Sequence, residues 1–131
     1  MRLLIDTRIL LWALAQPERL SAAFLDILRK PNKQLLFSSA SIWEIAIKAA
    51  LLRTECTARP DVMACEALAQ GFTELEAGWQ AAAAIADIRP PHRDPFDRIL
   101  IAEAVCEPVH IFTVDRKLVP HSDMVRMVNT R

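Results

Sequence analysis

Apolar and polar positions along the chain switch between short unbroken apolar runs and runs spaced as on a helix, and the switches divide it into alternating elements. "LLID" is a short apolar run closed by an acid, and "TRILLWALA" then repeats its apolar residues at helical spacing, which predicts a strand followed by a helix. "LSAAFLDILRK" predicts a second helix, with Ser21 as N-cap, Leu20, Phe24, Ile27 and Leu28 on one face, and "PN" as its stop. "QLLF" reads as a buried strand. "SSASIWEIAIKAALLR" reads as a long helix with serines at its start and an apolar stripe of Ile42, Ile45, Ala46 and Ala49.

The second half repeats the alternation. "RPDVMACEALAQGF" predicts a helix opened by Pro60 and Asp61 and closed by Gly71, "FTEL" a short strand, and "AGWQAAAAIADI" an alanine-rich helix ended by the loop "RPPHRD". Asp94 as N-cap and Pro95 at the first helical position then start a helix that runs through about Cys106. "PVHIFTVD" is a strand that again ends on an acid, "RKLV" a helical turn and "MVRMV" a last strand. Strands alternating with helices, and almost no hairpin signals, predict an α/β fold whose parallel sheet is covered by helices on both faces.

At 131 residues the chain has the size of one domain, without an internal repeat or boundary, and folding at that length buries roughly two thirds of the unfolded surface. A hydrophobic fraction of 53% with two glycines excludes disorder. Sixteen basic residues balance sixteen acidic ones, so a nucleic-acid partner has to be held by a local basic cluster. Cys56, Cys65 and Cys106 are odd in number and lack C-x-x-C spacing, which argues against disulfides or structural zinc and for buried thiols in a reducing compartment. Neither a signal-peptide core nor a run of about 18 apolar residues is present, so a cytoplasmic protein without a membrane span is expected.

Each acid at a strand-to-helix junction has a structural explanation. Asp6 can cap the first helix, Glu44 can complete an S-x-x-E capping box with Ser41, Asp97 can favour the positive end of its helix, and Asp115 can cap "RKLV". Topology adds a second role, because the strand-to-helix junctions of an open parallel sheet share one edge. Asp6, Glu44 and Asp115 meet there, and Asp97 joins them if its helix leads back into the "VHIFTV" strand. Two carboxylates about 5 Å apart repel by roughly 3 kcal/mol at an effective dielectric near 20, so the group needs a cation. Oxygen ligands favour magnesium or manganese over zinc, and His92, His110 and His121 are scattered and read as surface or internally satisfied residues. Such acid clusters serve phosphodiester hydrolysis. Arg8, Lys48, Arg93, Arg98, Arg116 and Lys117 lie within a few residues of the acids and can form a basic rim.

"LLIDTRILLWAL", "SSASIWEIAIK", "HRDPFDRILIAEA" and "IFTVD" together resemble the PIN-domain ribonucleases, specifically the VapC-like toxins of toxin-antitoxin modules, through nearly the whole chain. The resemblance implies a three-layer α/β/α sandwich over residues 1–131 and a Mg2+- or Mn2+-dependent endoribonuclease. It makes Asp6, Glu44, Asp97 and Asp115 the catalytic and metal-binding quartet, Asp94 an auxiliary acid, and Thr113 the residue that orients Asp115 or the water. Arg8, Lys48, Arg93 and Arg98 become candidate RNA contacts. The implied partners are the RNA substrate, an antitoxin protein and a second copy of the chain. This sequence departs from the family pattern with Arg8 where histidine is common, and with "AALLRTE" in place of a G-K-L segment, which lengthens the preceding helix.

Trp12, Trp43 and Trp79 can be base-stacking platforms, but their apolar helical settings point to core or dimer-interface packing. Two other functions compete. A phosphatase of the haloacid dehalogenase type also begins with an apolar strand ending in aspartate, but it needs a second aspartate where this chain has Arg8. A non-catalytic PIN-like binding protein would use the acids as caps alone.

Overall fold

The computed structural model describes residues 2–51, 59–88 and 94–130. β1 (Arg2–Ile5) leads into α1 (Thr7–Ala15), a 3-10 turn (Pro17–Arg19) and α2 (Ala22–Arg29). β2 (Gln34–Ser38) is followed by α3 (Ser39–Ala50) and α4 (Pro60–Ala69). β3 (Thr73–Leu75), α5 (Trp79–Ala84), a 3-10 turn (Ile85–Asp87) and α6 (Pro95–Cys106) come next. β4 (His110–Thr113), a 3-10 turn (Arg116–His121) and β5 (Val125–Met127) complete the described chain.

Among the described residues the sheet has five strands in the order β3-β2-β1-β4-β5, and every pairing is parallel. The chain steps outward from β1 to β3 and then returns past β1 to β4. Right-handed crossovers in opposite directions put their helices on opposite faces of the sheet. The two cores agree with this. Leu4, Leu36 and Ile111 stand abreast and pack with Ala81 of α5 and Leu100, Ile101 and Ala104 of α6. Leu3, Ile5, Leu35 and Phe37 point the other way and pack with Ile9, Leu10, Phe24 and Ala67 from α1, α2 and α4. Each fully buried side chain of this size contributes about 1.5–3 kcal/mol. The alternation along each strand therefore holds three layers together, and α3 bridges them by touching both α1 and α6.

Local chemistry sets the helix ends. Asp6 accepts from the Ile9 amide at 2.8 Å, Ser21 from Phe24 at 3.2 Å, and Asp94 from Phe96 at 2.9 Å and Asp97 at 3.4 Å. Each such cap is worth about 1 kcal/mol. Gly71, at φ 95°, takes the left-handed conformation that turns the chain from α4 into β3.

Several expectations need correction. α3 begins after Ser38, whose hydroxyl accepts from the Ala40 amide at 2.9 Å, so Ser41 and Glu44 lie inside the helix and form no capping box. It ends at Ala50 with Leu51 as C-cap, and Leu52 and Arg53, where the sequence expects its last residues, lie outside the described residues. Cys65 and Cys106 are exposed, because they sit on the outer sides of α4 and α6, while Cys56 lies outside the described residues. Trp43 and Trp79 are not core residues. Trp79, first in α5, is 75% exposed, and Trp43 rests edge-on against Phe96 with ring centroids 5.1 Å apart. Among the described residues no helix is long and apolar enough to cross a membrane.

Candidate active site

Ligand crevices of open parallel sheets form where neighbouring strands send their crossovers to opposite faces, beyond the carboxyl ends of the strands. Here that place is the boundary between β1 and β4. A cleft of about 760 Å³ opens there, lined by Asp6, Glu44, Asp94, Asp97 and Asp115, by Arg8, Arg19 and Lys48, and by Thr7, Leu11, Trp12, Ile45 and Val114.

Asp6 lies at the centre of the protein's hydrogen bonding to the cleft. One carboxylate oxygen caps α1, and the other accepts from the Thr113 hydroxyl at 2.5 Å. Burial pushes the Asp6 carboxyl up from 3.8 to about 6, against the lowering pull of Thr113 and the Ile9 amide. The Asp97 charge adds to the rise and Arg8 opposes it. Asp97, 91 positions away by number, is thus an electrostatic neighbour of Asp6.

Glu44 reaches the cleft because α3 is tied to α1. The Thr7 hydroxyl donates to the Ser41 hydroxyl at 2.8 Å inside the protein, and Glu44 follows one turn later on α3. Glu44 is buried and accepts from Lys48 at 2.5 Å, so an ammonium already neutralises it. Asp94 starts α6 and places Asp97 in its first turn, facing the other acids. Asp115 caps the turn after β4 by accepting from the Lys117 amide at 2.9 Å.

Thr113 differs from expectation. Its hydroxyl donates to Asp6 and accepts from the Asp115 amide at 3.0 Å, so it holds the side chain of Asp6 and only the backbone of Asp115. The basic rim also differs. Arg8 and Lys48 line the cleft, whereas Arg98 donates to the Ile85 carbonyl at 3.2 Å and lies outside the lining. Adjacent helical residues point about 100° apart, so an Asp97 aimed at the cleft turns Arg98 towards the α5 layer. Arg116 and Lys117 are exposed beyond the lining, and His92 and Arg93 lie outside the described residues. Neither His110 nor His121 lines the cleft.

Five lining residues carry no functional signal in the sequence: Thr7, Leu11, Arg19, Ile45 and Val114. Arg19 lies with its guanidinium carbon 4.4 Å from the centre of the Trp12 ring. The spacing of seven between them hints at a shared face, but Pro17 breaks the helix in between and hides it.

The donor set in the cleft is all oxygen and in excess over free cations, which suits a hard divalent cation. As the side chains stand, no group of three acidic, histidine or cysteine residues among the described ones is drawn together into a metal ligand set. Protein donors hold Asp6, Glu44 and Asp115 instead.

Solved structures with the same fold include a chain of VapBC2 from Rickettsia felis bound to a DNA fragment from their promoter. It is 11% identical with a TM-score of 0.73, and the match covers 98% of this chain and 100% of that one. A chain of DNA-bound VapBC from Salmonella typhimurium is 15% identical with a TM-score of 0.69, covering 97% and 96%. A chain of VapBC-1 from nontypeable Haemophilus influenzae is 17% identical with a TM-score of 0.64, covering 98% of each. No curated protein matches the chain by sequence. The family model of the PIN domain matches residues 3–120, from within β1 into the turn after β4, and takes in all five acids of the cleft; the chain belongs to the PIN domain family.

Proposed function

We propose that the chain is a magnesium- or manganese-dependent endoribonuclease, one domain over residues 1–131, and the toxin of a cytoplasmic toxin-antitoxin pair. One observation carries the reading. Asp6, Glu44, Asp97 and Asp115 come from four separate segments and line a single cleft, where the charge of Asp97 is felt at Asp6. Acids kept together at this cost are better explained by a cation than by capping, since Glu44 caps nothing.

Those four residues would hold the metal, with Asp94 setting the position of Asp97 and Thr113 that of Asp6. When bound, a divalent cation there lowers the pKa of a water and stabilises the charge developing on the phosphate oxygens. The chain's own residues do the rest. Thr113 keeps one oxygen of Asp6 fixed, and the Ile9 amide fixes the other. Lys48, half-exposed at the cleft, would be the cation nearest Glu44 to meet a phosphate if Glu44 held the metal. In the reaction water adds at phosphorus and the bond to the 3′ oxygen breaks, leaving a 3′-hydroxyl and a 5′-phosphate.

The VapBC names of the similar structures support an antitoxin protein as partner; a homodimer as the working form rests on the family resemblance of the sequence alone. The test is cleavage of a panel of structured RNAs by purified protein with manganese, with EDTA and with Asp97→Asn. Cleavage that needs both the metal and Asp97 is expected. Intact RNA throughout, or cleavage by folded Asp97→Asn, overturns the assignment. A shifted but uncut RNA would identify a non-catalytic binder.

A further inference from the structure

The cleft poses a problem for a polyanion. Five carboxylates line it, against three cations, and two of those are already engaged with acids: Lys48 is bonded to Glu44, and the charge of Arg8 acts on Asp6. Arg19 is different. It lines the same cleft, and among the described residues no carboxylate pairs with it; its one hydrogen bond is from Nη1 to the side-chain oxygen of Gln16 at 3.3 Å. Its guanidinium lies 4.4 Å from the centre of the Trp12 ring, and Trp12 in turn packs against the apolar core on its face of the sheet. A guanidinium stacked on a ring loses little freedom and keeps its in-plane N–H groups for other acceptors, the fork that suits phosphate oxygens. The ring face is already covered, so a base cannot stack there.

We propose that the Arg19 guanidinium, held over the Trp12 ring at the edge of the acidic cleft, is a subsite for one backbone phosphate of a single-stranded nucleic acid. The proposal rests on the nuclease reading and adds to it where the strand is gripped. Arg19 supplies the attraction that the acidic end of the cleft lacks, and Trp12 restrains the donor over its ring. The contact is to the backbone and is therefore indifferent to base identity.

The test is binding of a fluorescein-labelled single-stranded RNA by anisotropy, in EDTA so that nothing is cut, over a series of salt concentrations. Arg19→Ala is expected to weaken binding about tenfold at low salt and to make the slope of log K against log salt shallower by about 0.7, the value for one phosphate on a single strand. Arg19→Lys should keep the slope and lose part of the affinity, because a point charge replaces the planar fork. Trp12→Leu should weaken binding several-fold in the presence of Arg19 and not at all in Arg19→Ala, since the ring acts through the guanidinium. Arg19 is exposed, and equal melting temperatures would establish that the variants fold. Wild-type affinity and slope in Arg19→Ala, while wild type binds and cleaves RNA with metal, overturn the subsite and leave the nuclease. Failure of wild type to bind RNA in EDTA overturns the subsite, and failure to cleave RNA with metal overturns the nuclease as well.

Discussion

The Thr113 hydroxyl donates to the Asp6 carboxylate at 2.5 Å, linking the end of β4 to the end of β1 across 107 positions of sequence. The bond exists because β1 and β4 pair side by side, Ile5 against Phe112, so that the residues just beyond them meet. A hydrogen bond to a carboxylate favours its charged form, and this one partly offsets the effect of burial on Asp6. Thr113→Val removes the donor at nearly constant volume. It should raise the Asp6 pKa of the metal-free protein above about 6, so that at a fixed, subsaturating manganese concentration the acid limb of the pH–rate profile moves upward, and cost at least tenfold in kcat/KM near neutrality. Thr113→Ser should restore most of both. A profile for Thr113→Val that overlays wild type would remove Thr113 from the site.

Metal binding should be visible without any substrate. A ligand at 100 times its dissociation constant stabilises the fold by about 2.7 kcal/mol, so manganese should raise the wild-type melting temperature by several degrees. Asp97→Asn should start from a higher metal-free melting temperature, because it removes the like charge that Asp6 feels, and should respond little to manganese. Equal shifts in the two proteins would mean that the cation binds elsewhere.

Lys48 should act against the metal. Its ammonium sits on Glu44, so any cation drawing on that carboxylate has to displace it. Lys48→Met keeps the aliphatic length and removes the competitor. Half-maximal stabilisation should then need several-fold less manganese, whereas RNA binding in EDTA should weaken through loss of a positive charge. Unchanged manganese affinity would show that Glu44 is not a ligand.

What was legible in the sequence follows from which features are local. Asp94 with Pro95 marks a helix start by chemistry within three residues, and the structure has that start. The alternation of Leu3, Leu4 and Ile5 likewise expresses which face each side chain takes, and the two cores follow it. Glu44 was assignable to a capping box only until the end of β2 was known, since the extra residue of that strand moves the cap back to Ser38. The direction of the Thr113 hydroxyl depends on the pairing of non-consecutive strands, which no local pattern encodes. Arg98 and Arg19 exchanged places for a similar reason: proximity in sequence to an acid suggested one, and the turn after α1 brings the other to the cleft.

Glu103 stands at no strand-to-helix junction, yet its setting in "ILIAEAV" carries a signal: an acid inside an apolar run. It is 1% exposed, accepts from the Ser38 hydroxyl at 2.5 Å, and its other carboxyl oxygen has no hydrogen-bond partner among the described residues. Burial pushes it from 4.5 up to about 7, opposed by Ser38 and assisted by the Glu107 charge. The sign of the consequence is set by where protons sit. Below pH 4.5 the folded and unfolded chains both hold this proton, and between 4.5 and about 7 the folded chain alone keeps it. Stability from this group is therefore complete below 4.5, falls through that window and is lost above about 7. The total is roughly 3 kcal/mol. Glu103→Gln cannot ionise, so the difference in unfolding free energy between Glu103→Gln and wild type should grow in favour of the variant from pH 4.5 to 7 and then level off. The comparison between the two proteins cancels the contribution of Asp6, which titrates in an overlapping range. Denaturant midpoints measured at half-unit intervals would test it. A difference that stays constant with pH would mean that Glu103 is ionised in the folded protein, and that Ser38, the cap of α3, is held by a charged carboxylate.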